Sequence, residues 1–160
     1  MDLALAFSVE SDTCDFVQLA NGDLALDDGL YTAVLVSLLT DAAALPDDVI
    51  PDRTTNRRGT WMDIPLASAS ISKTKRPLGS RLWQLDRAKA TQETRLRAQE
   101  YATEALQWMI DDNLCQKITA VATFLTYNQI VLSVTLTRQI VGGQPVSTTY
   151  DRVWTATLAA

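Results

Sequence analysis

"QIVLSVTLTR", residues 129–138, alternates without a slip: Ile130, Leu132, Val134 and Leu136 fall on one side, Val131, Ser133, Thr135 and Thr137 on the other. Successive side chains of an extended chain point to opposite sides, so a period of two marks a strand with one buried face. The C-terminal third of the chain is read outward from this run. Upstream, "KITAVATFLT" (117–126) also alternates, and Tyr127 and Asn128 supply a turn between the two. Downstream, Gly142 and Gly143 mark a second turn. "VSTTYDRVWTAT" (146–157) then follows, rich in β-branched and aromatic residues. Neither face of this last run is consistently apolar, which predicts an edge strand over 145–160. Together the three runs predict an antiparallel meander.

The middle of the chain changes period. "YATEALQWMIDDNL" (101–114) belongs to a run in which Ala98, Tyr101, Ala102, Ala105, Leu106 and Met109 recur at helical spacing. The spacing predicts a helix from Thr91 to about Asn113, preceded by a short one over "GSRLWQLDRAK" (79–89) with Ser80 as N-cap. "LYTAVLVSLLTDAAA" (30–44) predicts an earlier helix, capped by Asp27 or Asp28, broad in its apolar stripe and ended by Pro46. Before it, "LALAF" (3–7) and "FVQLA" (16–20) read as short strands, and Asn21-Gly22 as the turn of a hairpin returning through "DLALD" (23–27). Strands, then helices, then strands give an α+β class: an N-terminal β-hairpin and helix, a long loop, two further helices, and a C-terminal three-stranded antiparallel meander.

A chain of 160 residues is expected to form one domain over 1–160. No apolar run approaches the ~20 residues that span a bilayer, and the start lacks a basic signal-peptide region. A cytoplasmic site of folding and no membrane partner are expected. The net charge of −5 hides a strong split. Residues 1–52 hold 11 acids and no Lys or Arg; residues 53–97 hold 11 bases and 3 acids; residues 98–160 hold 5 acids and 3 bases. The basic middle alone would suit nucleic acid, but the acidic remainder repels phosphate, so no nucleic-acid partner is expected. Neighbours of opposite charge in an assembly fit this pattern better.

Catalytic signatures are sparse. With no histidine, every His-based triad, general base or zinc site is excluded. Cys14 and Cys115 lie in no metal-binding spacing and read as ordinary thiols. The carboxyl pairs Glu100 with Glu104 and Asp111 with Asp112 have glycosidase-like reach, but such pairs occur on any helix. Asp111 and Asp112 sit near a helix C-terminus, where negative charge calls for a basic partner from 53–97. "SISK" (70–73) permits a Ser–Lys dyad, although a solvated loop explains it as well. No phosphate-binding or nucleophile-elbow motif occurs. No catalytic residue, cofactor or metal is expected.

The long connection 46–79 contains Pro46, Pro51, Pro65 and Pro77 and the stretch "NRRGTWMD" (56–63). Loops of this length in compact domains are usually functional, so 46–79 is read as a docking loop. Arg57 and Arg58 beside Gly59 and Trp61 suit docking, since Arg forks bind carboxylates and both residue types are enriched at interface hot spots. An internal alternative stands beside it: Arg58 or Arg81 paired with Asp63, Glu104 or Asp111, with Trp83 and Trp108 filling the core.

Three blocks in series resemble the Mu-like phage tail baseplate-wedge family. "NRRGTWMD" is similar to its R-R-G-W-W-G-D block, "GSRLWQLDRAK" to G-S-R-L-W-L-L-x-R, and "YATEALQWMIDDNL" to E-A-L-x-W-L-x-D-x. The chain departs at Thr60 and Met62, where the first block has Trp and Gly, so any stacking there rests on Trp61. The resemblance runs over nearly the whole chain and implies a structural, non-enzymatic part of a contractile-tail baseplate, a wedge or sheath initiator assembled in the host cytoplasm. Six copies per baseplate are implied, with other wedge proteins, the tail sheath protein and tube or hub proteins as neighbours. Some relatives are called lysozyme-like, so a peptidoglycan-cleaving enzyme is the alternative. The residues expected to matter are Arg57, Arg58, Gly59, Trp61 and Asp63 in the loop, Gly79, Arg81 and Trp83 after it, Glu104 and Trp108 on the long helix, and Tyr150, Arg152 and Trp154 on the last strand. Residues 146–157 are expected to donate a strand to sheath and to be dispensable for folding.

Overall fold

A computed structural model describes residues 2–8, 10–11, 13–27, 29–51, 55–60, 78–139 and 143–159. The C-terminal meander is its largest sheet. Strands β5 (Lys117–Thr126), β6 (Gln129–Arg138) and β7 (Val146–Thr157) pair antiparallel in the order β5-β6-β7. The alternation of β6 places Ile130, Leu132, Val134 and Leu136 fully inside. On its other face hydroxyls pair across the ladder, Thr135 with Thr149 at 2.9 Å and Thr137 with Ser147 at 2.9 Å.

Helix α1 (Tyr31–Leu39) and helix α2 (Gln92–Leu106) pack on the sheet side that carries the apolar residues. Val34, Leu35 and Leu38 of α1 and Ala98, Ala102 and Leu106 of α2 join the strand residues in one core. Small alanines let α2 approach closely, and Gln99 Nε2 reaches the β5 carbonyl of Ala120 at 3.1 Å. At the N-terminus of α2 the Thr91 hydroxyl accepts from Thr94 N–H. For α1 the capping carboxylate comes from three residues before the N-cap position: Asp27 accepts from Gly29 N–H and Thr32 N–H, both at 2.8 Å. This satisfies donors that the N-cap residue Leu30 cannot serve.

Several boundaries differ from the expectation. Helix α1 stops at Leu39 rather than at 44, because Thr40–Ala42 is drawn into a parallel bridge with Ser80. Ser80 N–H donates to Thr40 O at 2.8 Å and Ala42 N–H to Ser80 O at 2.9 Å. The helix expected over 79–89 is a single 3-10 turn, Leu82–Leu85, with Arg81 as N-cap. Ser80 still serves it, since its hydroxyl accepts from Leu82 N–H at 3.3 Å. The long helix breaks at Gln107 and resumes as α3 (Trp108–Asp111). Asn113, at φ 58°, closes it in the left-handed conformation that asparagine tolerates.

The N-terminal hairpin is a ribbon in two pieces. Strand β2 (Leu5–Ser8) pairs with β3 (Thr13–Phe16), and β1 (Asp2–Leu3) with β4 (Leu26–Asp27). Between them the chain projects as a tight loop around Asn21 and Gly22, bridged at Gln18 and Leu24. The first strand after the opening run thus lies at 13–16, not 16–20. Thr32 of α1 stitches the ribbon to the body: its hydroxyl donates to Leu3 O and accepts from Leu5 N–H.

The uneven pattern of 146–157 has a local cause. Leu132 faces Trp154 and Val134 faces Tyr150, so three β7 residues stand opposite Ser133 alone. Arg152, at φ 52°, sits in this bulge and its N–H donates to Ser133 Oγ at 3.4 Å. The bulge turns Val153 and Trp154 both into the interior, where Val153 is fully buried and Trp154 nearly so. The expectation that 146–157 is dispensable for folding is therefore corrected: its removal takes away part of the core.

Candidate docking site

The described part of the arginine loop is held by its own side chains. Residues 44 and 57 pair through Ala44 N–H and Arg57 O at 2.8 Å. The Arg57 guanidinium donates to the carbonyls of Leu45 and, at 2.8 Å, Pro46. Asn56 Oδ1 accepts from Arg58 N–H, forming a local turn that carries Arg58 at φ 52° and Gly59 at φ 104°. From there Arg58 reaches Asp41 at 2.7 Å and lies 4.3 Å above the Trp83 ring, with Asp86 3.8 Å away. A planar guanidinium can hold a carboxylate and stack on an indole together; an ammonium cannot do both. Trp61 and Asp63 lie outside the described residues.

A second clamp lies beside the first. Arg81 Nη1 contacts both oxygens of Asp48, at 3.0 and 3.1 Å, and Arg81 Nη2 lies 2.5 Å from Glu104 on α2. The Arg81 fork rests 4.5 Å from the Tyr101 ring. Burial disfavours the Asp48 carboxylate. Hydrogen bonds from Gln84 and Leu45 N–H, with the Arg81 hydrogen bond and charge, more than offset that and hold Asp48 below the usual carboxylate range. Arg81 is likewise desolvated, yet Glu104 and Asp48 raise its affinity for its proton.

Gly79 explains why the chain can enter this corner. It sits at φ +103°, and a Cβ there would lie 2.4 Å from the Thr40 carbonyl oxygen. Ser80 next to it donates its hydroxyl to Leu38 O at 2.7 Å, inside the core. Trp83 is buried and its indole N–H donates to Ala42 O at 2.8 Å. Trp108 is half-buried and donates to Ser37 Oγ at 3.1 Å. Tyr150 joins β7 to the start of α1, accepting from Leu30 N–H at 3.3 Å with its ring 5.3 Å from that of Tyr31. Trp154 lines a polar hollow shared with Arg58 and Asp86.

Asp41 and Asp48 were not among the expected residues, although they anchor both arginines. Only their place just after the first helix hinted at it: acids at the end of a base-free segment, followed by arginines. Asp111, for which a basic partner was expected, instead accepts from Gln107 at 3.2 Å.

A groove of about 310 Å³ runs between Ala42–Leu45 and α2, floored by Ala105 and Trp108, with Arg81, Glu104 and Asp111 on its walls. Its Glu104 is tied to Arg81, so the carboxyl pair Glu100 and Glu104 is not a free acid–base pair. Among the described residues no group of three or more His, Cys, Asp or Glu is placed to hold a metal. Cys14 and Cys115 are free thiols, and burial raises the pKa of both. No described helix is long and apolar enough to cross a membrane.

The large sheet has two edge strands, β5 and β7. On β5 the Gln99 side chain occupies the Ala120 carbonyl. At the far end of β7, Leu158 N–H and Ala159 N–H are taken by Asn128 O and Ala88 O. Val146–Tyr150, ahead of the bulge, lies at the sheet edge with its outer backbone bonded to nothing among the described residues.

Comparison with known proteins adds three likenesses. The family model described as Phage protein GP46 matches residues 30–144. Baseplate protein gp46 of Escherichia phage Mu is 48% identical over 87 residues, 54% of this chain and 54% of that protein. Mu-like prophage FluMu protein gp46 of Haemophilus influenzae is 34% identical over 105 residues, 66% of this chain and 65% of that protein. The matched part of the chain thus spans about half the length of the Mu relative.

Proposed function

The chain belongs to the phage protein GP46 family, and from that premise we propose that it is a structural, non-enzymatic component of a phage tail baseplate. The observation that carries the reading is its likeness to a relative named as a baseplate protein. The geometry agrees with it: among the described residues Arg57, Arg58, Arg81 and Glu104 are engaged in holding the fold, and the groove beside Arg81 holds no free acid–base pair.

In this reading the chain works as a wedge and sheath initiator of a contractile tail. The loop 46–79 docks against neighbouring wedge proteins, and β7 offers its open edge to a strand of the first sheath ring. Tube or hub proteins are further neighbours, and six copies surround the tail axis. Strand addition draws its affinity from main-chain hydrogen bonds and its register from alternate side chains. Val146–Tyr150 is the stretch suited to it, because the bulge at Asp151–Val153 interrupts regular pairing beyond.

The test uses proline. Thr148 and Thr149 are adjacent, so one N–H faces β6 and the other faces outward. Of the variants Thr148→Pro and Thr149→Pro, the one with the outward N–H keeps the fold. It is expected to yield baseplates without attached sheath. Fully sheathed tails from that folded variant would contradict the strand-addition mechanism.

A further inference from the structure

Carbonyl partners fix which way each residue of the meander points within the sheet. On β6, Thr137 O accepts from Gln116 N–H at 2.8 Å, on the β5 side. Just ahead of β6, Asn128 O accepts from Leu158 N–H at 2.6 Å, on the β7 side. On β5, Ala120 O is turned away from β6, towards Gln99 of α2. In an antiparallel ladder the N–H and C=O of one residue point the same way, and the direction alternates along the strand. Odd-numbered residues of β6 therefore bond to β5 and even-numbered ones to β7. Leu136 stands opposite Thr148, so Thr148 faces β6. Ser147 and Thr149, on either side of it, turn their main-chain N–H and C=O outward.

The side chains of the same two residues continue rows that cross the sheet. Thr119, Thr135 and Thr149 stand abreast on β5, β6 and β7, and Lys117, Thr137 and Ser147 form another row. These rows lie on the face turned away from the core. The hydroxyls of Thr135 and Thr149 are 2.9 Å apart, as are those of Thr137 and Ser147. Each pair has two hydroxyl hydrogens and uses one between its members, which leaves a hydrogen and several lone pairs for a further neighbour. On the other face of the strand, Val146 is 41% exposed, and Thr148 and Tyr150 are half-buried. A residue added opposite Thr148 would lie diagonal to Val146 and Tyr150.

We propose that the strand added to β7 carries serine or threonine opposite both Ser147 and Thr149, with an apolar residue between them opposite Thr148. The proposal rests on the strand-addition reading above and names the side-chain pattern of the partner. Two hydroxyls would extend the two rows by one strand, and the apolar residue would cover Val146. A slip of one residue would set an apolar side chain against the hydroxyls and a hydroxyl against Val146, so the side chains fix the register that the main chain alone leaves open. The bulge at Asp151–Val153 confines regular pairing to Val146–Tyr150.

Counting sheathed tails by electron microscopy, in particles that carry variants of this chain, tests the pattern. Thr149→Pro removes an outward N–H and is expected to abolish sheath attachment. Ser147→Ala with Thr149→Val keeps every main-chain group and removes both hydroxyls; about tenfold fewer sheathed tails are expected. Thr135→Val with Thr137→Val breaks the same two internal pairs from the β6 side and leaves the β7 hydroxyls in place. It is expected to match the parent, as is Ser147→Thr with Thr149→Ser, which exchanges the two residues and keeps both hydroxyls. Circular dichroism of the purified chains confirms that each folds. Normal sheathing with Thr149→Pro would overturn strand addition and the pattern together. Sheath lost with Thr149→Pro but normal in the hydroxyl-free variant would overturn the pattern alone. So would a loss in the β6 variant or in the exchanged one, since the hydroxyls would then serve the fold and not the partner.

Discussion

Gly79 and Arg58 each do something that no neighbouring residue type can do in their place. At Gly79 a side chain meets both a left-handed backbone and the Thr40 carbonyl. The variant Gly79→Ala is expected to lower stability by about 2–4 kcal/mol, read from urea unfolding. At Arg58 the carboxylate contact and the ring contact share one planar group. Arg58→Lys is expected to be nearly as unstable as Arg58→Ala, each losing about 1–2 kcal/mol. Full retention of stability in the lysine variant would show that charge alone matters there. Asp48 gives the pH dependence its sign. Its folded pKa is depressed, so its contribution is complete above the unfolded value near pH 3.9 and is lost as pH falls through the folded one. Asp48→Asn is therefore expected to be less stable than the parent at neutral pH, with the gap narrowing in acid. A gap that is constant with pH would remove the carboxylate charge from the account.

Among the elements, β7 carries both core packing and the proposed strand addition. Val153 is fully buried while Ser147 is exposed on the same strand. Val153→Ala is expected to cost about 1–3 kcal/mol and Ser147→Ala less than about 0.5. Equal effects would mean that the bulge does not deliver Val153 to the core. The strand boundaries of the meander, 117–126, 129–138 and 146–157, were legible in the sequence because period-two alternation and turn residues agree there. The bulge was not, since its signal is a non-glycine residue at positive φ that no composition marks. The ends of α1 and of the 3-10 turn were hidden for a related reason. They are set by a bridge between Asp41 and Ser80, residues distant in sequence, and not by local propensity. Likewise Arg81 and Glu104 could be matched by charge and helix register, whereas Asp48 had nothing local to single it out. Its role comes from tertiary approach alone.

For the whole molecule, the charge split of the sequence is partly closed inside the fold: Asp41 and Asp48 of the base-free segment hold Arg58 and Arg81 of the basic one. The sheet edge of Val146–Tyr150 is a separate surface. The central claim is that this chain is built into the baseplate. Immunogold electron microscopy of purified particles, with an antibody to the chain, tests it most directly. Gold at the tail end, between sheath and baseplate, is the predicted result; intact and contracted tails that carry no label would contradict it.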